Sequence, residues 1–274
     1  MAGELTIGFL GAGRMATALA RGFLRAGLVK ADRLIASDVA GDARGAFQKE
    51  TGCCAVGDNA EVVRFASVLI VAVKPAQVTA VLSGLATEFR PETLVVSIAA
   101  GVPLARLEAA LPAGTRVVRV MPNTPALVGA GASAYAVGGA VRRTDADLVQ
   151  RLFSAVGLAL EVPEPLLDAV TGLSGSGPAY ACLIIEALSD GGVAAGLPRD
   201  VSTRLAAQTL LGAAQMVRDS GLHPGVLKDM VTSPGGTTIE GLHELEKAGV
   251  RGALMNAVRA AAEKSRKLGQ AGPP

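Results

Sequence analysis

Leu5 to Ala16 reads LTIGFLGAGRMA. Leu5–Leu10 is an apolar run of strand length, and a helix-like pattern follows from Arg14 to Ala26. Between them lies Gly11-Ala12-Gly13-Arg14-Met15-Ala16, the GxGxxA form of a dinucleotide fingerprint. Gly11 permits a tight turn, Gly13 leaves room for a pyrophosphate, and Ala16 lets helix and strand pack closely. Glycine turns between strand and helix are common, so the weight of this one comes from its context.

That context is an alternation of strands and helices. Arg33–Ser37, Val68–Val73, Leu94–Ile98, Arg116–Val120 and Ala132–Val137 read as further strands, and Gln77–Thr87 and Pro103–Leu111 read as helices between them. Such alternation predicts an α/β Rossmann-type, doubly wound parallel sheet. Asp38 closes the second strand, where an acidic side chain bonds the ribose 2′-hydroxyl of NAD and repels the 2′-phosphate of NADP. The alternative is a turn aspartate ahead of Gly41, with Arg33 and Arg44 close by. Val73-Lys74-Pro75 and Ala99-Ala100-Gly101 leave their strands on the edge where parallel sheets bind ligands. Lys74 faces either that site or, as an ordinary loop lysine, water.

After Pro163 and Pro165 the chain reads as helix almost to its end. Ala179–Leu188 carries one charge, Glu186, and Leu205–Val217 carries none. Helices apolar on most faces must be buried. A small helical domain has little interior for two of them, so they are expected to pack on a second subunit. The expected division is residues 1–163 for the dinucleotide and residues 164–274 for an all-α dimerisation domain. The last helix, about Val250 to Leu268, is amphipathic, with Gly269–Pro274 expected as a frayed tail.

Composition narrows the function. The 274 residues are 50% hydrophobic and 3% aromatic, with a formal net charge of +2. No basic block or aromatic-basic array points to nucleic acid. Val120–Val141 is uncharged, but two prolines and four glycines argue against a membrane span. Three cysteines form no disulfide framework, and neither His223 nor His243 has a metal-ligand companion, so no metal is expected. The N-terminus lacks an export pattern, and a cytoplasmic protein is expected.

Three more segments carry chemistry. Met121-Pro122-Asn123-Thr124-Pro125 follows a strand, and Asn123 orients a nicotinamide amide or a bound substrate, or else marks a turn. Thr171–Tyr180, TGLSGSGPAY, precedes an apolar helix. It reads either as a capped helix start, with Ser174 or Ser176 capping and Pro178 in the first turn, or as a turn placing Thr171 and Ser176 at the nicotinamide. His223–Glu246 breaks its helical pattern at Ser233-Pro234-Gly235-Gly236 and reopens at Thr237 or Thr238. A helix start offers unpaired N–H groups to an anion, the glycines admit close approach, and the hydroxyls of Ser233, Thr237 and Thr238 donate or accept. This segment is read as a pocket for a small carboxylate. No lysine lies between Lys74 and Lys228, and no histidine before His223. A hydroxyacid dehydrogenase needs a base. A site of hydroxyls and amides suits a protonated imine, which needs only positioning.

With these segments in place, the chain resembles the pyrroline-5-carboxylate reductases over essentially its whole length. The residues from Pro224 to Glu246 match that family's signature region, and GLSGSGPAY, AVKP, SIAAGV and MPNTPALV stand as the family carries them. The resemblance implies reduction of 1-pyrroline-5-carboxylate to L-proline. It implies NAD(P)H bound along Gly11, Ala12, Gly13, Arg14 and Met15, at Asp38 and Asn59, and along Ala72, Val73, Lys74, Pro75, Ile98, Ala99 and Ala100. It places the substrate carboxylate on Ser233, Gly235, Gly236, Thr237 and Thr238, with Val231 beside them and Thr238 near the ring nitrogen. Members commonly prefer NADPH and carry a small hydroxyl residue where this chain has Asp38, a departure that leans toward NADH. The family is dimeric through interlocked C-terminal helices, often assembled further into decamers. The rivals are a sibling imine or hydroxyacid dehydrogenase of the same architecture, and a non-catalytic nucleotide-binding regulator, which has no need of the 233–238 pocket.

Overall fold

A computed structural model describes residues 5–270. The first strand, β1 (Ile7–Leu10), is buried at all four positions, as strands covered on both faces are. It leads through the glycine turn into α1 (Arg14–Arg25), which buries Ala16, Leu19, Ala20 and Phe23. The chain continues through β2 (Leu34–Ser37), α2 (Gly41–Thr51), β3 (Cys54–Val56), α3 (Asn59–Phe65), β4 (Val68–Val71), α4 (Val78–Gly84), β5 (Leu94–Ser97), α5 (Leu104–Ala109) and β6 (Arg116–Met121). Then come β7 (Gly131–Val137), α6 (Arg143–Ser154) and β8 (Gly157–Glu161). The sheet order is β3-β2-β1-β4-β5-β6-β7-β8.

The expected doubly wound sheet is present, with one correction at its far edge. β1 to β6 are parallel neighbours, but β7 runs antiparallel to β6, and β8 parallels β7. The link from β6 to β7 is a short turn, Thr124–Val128, and a parallel return needs a crossover of about a dozen residues or more. Strands β3 and β8 and helices α2, α3 and α6 went unread in the sequence. β3 has three residues, none buried, and α2 buries only Phe47, so neither shows a clear period.

Side chains of the two sheet faces form separate layers. Phe9, Phe23, Phe47 and Phe153 fill one, with ring centroids of neighbouring pairs 6.2–6.4 Å apart. Leu10, Val62, Leu69, Leu82 and Leu107 fill the other. Arg116 Nη1 meets Asp145 at 2.6 Å, tying β6 to the start of α6.

By packing, the chain divides into two units: residues up to Ser176 together with those from Arg259 onward, and Gly177–Val258. The helical takeover does begin near residue 164, but α7 (Leu167–Val170) and the turn after it belong with the sheet. The last helix, α12 (Val250–Gln270), starts in the helical unit and ends in the sheet unit. There Ser265 Oγ donates to Asp168 at 2.6 Å, and Arg106 donates to the Gly269 carbonyl at 3.0 Å. Gly269 and Gln270 are therefore helical rather than frayed. The rest of the expected tail lies outside the described residues.

The helical unit holds α8 (Gly177–Ala194), α9 (Arg199–Ser220), α10 (Pro224–Met230), α11 (Thr237–Lys247) and the start of α12. α8 packs along α9, with Ser202 Oγ donating to the Ser189 carbonyl at 2.7 Å. Only Ser189, Ser202, Ala206 and Leu227 are buried among its residues. Leu183 is 65% exposed and Leu211 59%. No described helix is long and apolar enough to cross a membrane.

Candidate functional site

Gly11 has φ of +100°, and a Cβ there would lie 2.9 Å from the Ala72 carbonyl carbon and oxygen. Conformation and space both demand glycine, because the turn leaving β1 presses on the loop leaving β4. A Cβ on Gly13 would meet no protein atom within 4 Å, so packing does not require glycine there. Gly13 is the N-cap of α1 with no side-chain cap bond, and Arg14 beside it is exposed. Exposed N–H groups at a helix start, with no side chain over them, suit a pyrophosphate.

Asp38 makes the bond of a turn aspartate and a second bond to the glycine turn. Its Oδ2 accepts from Ala12 N at 3.0 Å, bridging to the glycine turn, and its Oδ1 accepts from Ala40 N at 2.9 Å as a turn aspartate does. Each carboxylate oxygen keeps a further lone pair for a hydroxyl donor. Arg44 is committed to backbone, donating to the Asp38 and Val39 carbonyls at 2.7 and 3.2 Å. Asn59 Oδ1 accepts from buried Ser37 Oγ at 2.6 Å, which fixes Asn59 beside the end of β2.

The other candidates line up on the same edge. Parallel register puts the ends of β1, β2, β4 and β5 side by side. Val73-Lys74-Pro75 leaves β4 there, with Lys74 exposed, and Ile98-Ala99-Ala100 leaves β5. Ala72 N donates to the Leu10 carbonyl at 2.8 Å and Ile98 N to the Val71 carbonyl at 3.1 Å, so the loops are stitched in sequence along the edge.

Asn123 is 8% exposed, and both ends of its amide are taken by backbone. Ala132 N donates to its Oδ1 at 2.8 Å, and its Nδ2 donates to the Ser174 carbonyl at 3.0 Å. The amide thus links the start of β7 to the Ser174 carbonyl and keeps one N–H and one oxygen lone pair to spare. Thr171–Gly175 is a π-helical turn between α7 and α8, rather than a loop ahead of a capped helix. Thr171 Oγ1 and Ser174 Oγ bond back to the Leu167 and Val170 carbonyls at 2.8 and 3.1 Å. Ser176 N reaches the Thr171 carbonyl at 2.9 Å. Single π-turns inside helices gather at functional sites.

In the helical unit, Ser233–Gly236 is a tight turn closed by Gly236 N to the Ser233 carbonyl at 3.1 Å. Pro234 takes its second position and Gly235, φ +63°, its third, the residues a type II turn selects. Ser233 Oγ occupies the space a Gly236 side chain would need. Gly236 then caps α11 with no side-chain bond, which leaves the first-turn N–H groups without a side-chain partner. Thr238 is half-buried and Ser233, Thr237 and Val231 are exposed. Glu240 is the acidic residue of that first turn. His223 caps α10, its Nδ1 accepting from Gly225 N at 3.1 Å. Among the described residues no group of three or more His, Cys, Asp or Glu is placed to hold a metal ion.

Sequence reasoning missed Ser37 and the bracketing use of Asn123. A signal for the second existed: Pro178 lies four residues after Ser174, so the Ser174 carbonyl has no i+4 N–H to accept from.

Comparison with known proteins identifies the family. Residues 164–268 match the family model "Pyrroline-5-carboxylate reductase dimerisation", and residues 6–101 match "NADP oxidoreductase coenzyme F420-dependent". A pyrroline-5-carboxylate reductase of Methanosarcina acetivorans is 53% identical over 96% of this chain and 98% of its own length. That of Pisum sativum is 50% identical over 96% of each. Among solved structures, the Plasmodium falciparum pyrroline carboxylate reductase with NADP bound is 37% identical, covers 97% of this chain and 98% of its own, and superposes with a TM-score of 0.88. By fold, by near full-length identity and by its dimerisation segment, the chain belongs to the pyrroline-5-carboxylate reductase family.

Proposed function

We propose that the protein reduces 1-pyrroline-5-carboxylate to L-proline, the last step of proline synthesis, with NADH or NADPH as reductant. The observation that carries the reading is the uncapped start of α11, where free N–H groups and three hydroxyls meet at a glycine turn. A carboxylate accepts hydrogen bonds from such a tip without displacing any internal partner. Ser233, Gly235, Gly236, Thr237 and Thr238 hold the acid group, and Val231 offers an apolar side to the ring. Thr238, half-buried, is the polar partner assigned to the ring nitrogen, and Thr171 and Ser176 are the further hydroxyls assigned to catalysis. The reduced nicotinamide supplies hydride for the imine carbon, and the nitrogen arrives already protonated, so the protein orients and excludes water.

The dinucleotide is held by residues 1–163: Gly11, Ala12, Gly13, Arg14 and Met15 at the pyrophosphate, Asp38 and Asn59 at the adenosine ribose, and Ala72–Pro75 with Ile98–Ala100 along the sheet edge. Asp38 favours NADH, since its charge repels a 2′-phosphate. Residues 164–274 bind substrate and a second copy, giving a homodimer from which a decamer can be built. The bare apolar faces of α8 and α9 support that assembly. The setting proposed is the cytoplasm. The test is oxidation of NADH or NADPH on addition of pyrroline-5-carboxylate, with proline identified as product. A chain that oxidises neither overturns the reading. A monomer by analytical ultracentrifugation at micromolar concentration overturns the assembly.

A further inference from the structure

The wide turn from Thr171 to Gly175 has a physical cause in the proline three residues beyond it. In a regular helix the Ser174 carbonyl accepts from the N–H of residue 178, but residue 178 is proline and has none. The chain opens into a π-turn, and the Thr171 carbonyl takes Ser176 N five residues on. Asn123 Nδ2 then supplies the Ser174 carbonyl with the donor that Pro178 lacks. The other end of the same amide is fixed by Ala132 N at the start of β7, so the side chain cannot swing. Asn123 sits just past Met121, the last residue of β6, and β6 ends on the same edge as the cofactor loops. Met121 Cε in turn fills the space that a side chain at position 175 would take.

We infer that Asn123 is a positioning residue for catalysis: it holds the π-turn open at the ligand edge of the sheet and so sets where Thr171 and Ser176 stand. The inference rests on the proposed reductase activity and on those two hydroxyls facing its substrate. It requires no contact between Asn123 and the dinucleotide, because the two bonds within the protein suffice to hold the turn.

Asn123→Asp separates the possibilities, because the carboxylate still accepts from Ala132 N but has nothing to donate to Ser174. The expected result is a fall in kcat of about tenfold or more, as a displaced catalytic group gives, with NADH affinity by fluorescence titration within about twofold. The loss is expected to be non-additive with Ser176→Ala, because one acts through the other. A rise in NADH Kd with kcat kept makes Asn123 a cofactor ligand and overturns the inference. So does a lowered Tm with kcat and Kd both unchanged, or strict additivity with both Ser176→Ala and Thr171→Val. If Asn123→Asp does not fold, Asn123→Ser is read in the same assays by the same criteria. A wild-type protein inactive on pyrroline-5-carboxylate overturns the proposed function and this inference together. An active wild type whose Asn123→Asp variant keeps kcat overturns only the latter.

Discussion

The sheet unit and the helical unit bury their apolar residues in opposite ways. In the first, Phe9, Leu19, Phe23, Ile70 and Phe153 are fully covered by the unit's own layers. In the second, four residues are buried and two of them are serines, while leucines and methionines of α8, α9 and α10 face outward. One unit has a core, and the other has half of one. A chain segment that cannot bury its apolar surface alone must bury it against another chain or stay marginal. The helical unit also carries the anion-ready tip of α11, so the part least able to fold alone holds the proposed substrate site.

The sharpest way to break this contrast is to charge the bare faces. Leu183→Glu with Leu211→Glu is expected to abolish association and, with it, turnover. Each removes about 1.5–3 kcal/mol of side-chain burial and places a charge in an apolar contact. Sedimentation and activity read the two effects, and a fully active dimer from the double variant refutes the half-core view.

Next in size is Thr238→Ala, expected to lower kcat/KM about a hundredfold, as loss of one oriented donor does. NADH affinity should hold, since the residues proposed for the cofactor lie in the other unit. Unaltered turnover in this variant removes Thr238 from the site.

In the sheet unit, Gly11→Ala forces a side chain into a left-handed backbone against the Ala72 carbonyl. The expected loss is about 1–3 kcal/mol of stability, read by chemical denaturation, with weaker NADH binding. Asp38→Ser should move the ratio of kcat/KM for NADPH over NADH upward about tenfold, near 1.4 kcal/mol. A ratio that does not move assigns Asp38 wholly to its two backbone bonds.

The smallest effect tests how closed the sheet unit is. Burial pushes the Cys53 thiol above its ordinary pKa, a Thr51 hydrogen bond opposing and Cys54 adding to the rise. Cys53 is buried and Cys54 exposed, so iodoacetamide on the native protein should label Cys54 and spare Cys53 until the fold opens. The neutral thiol is retained in the fold while the unfolded chain ionises first, so stability should decline as pH rises past the ordinary thiol pKa. Mass spectrometry of the labelled peptides settles the reactivity.

Much of this was legible in the residues themselves. The glycine turn after Leu10, the acidic end of β2, the buried strands and the broken pattern at Ser233–Gly236 are local: each is written within a few positions, and backbone sterics read it directly. The same holds for the apolar stretches of α8 and α9, whose composition is what suggests the proposed second copy. Three-dimensional packing decided the rest. The antiparallel return of β7, the docking of Ser265 on Asp168, the double use of Asp38 and the commitment of Asn123 to Ser174 all join residues distant in sequence. A polar side chain advertises donors and acceptors but not their recipients. Only the folded arrangement brings an orphaned carbonyl, left by a proline, within reach of the amide that satisfies it.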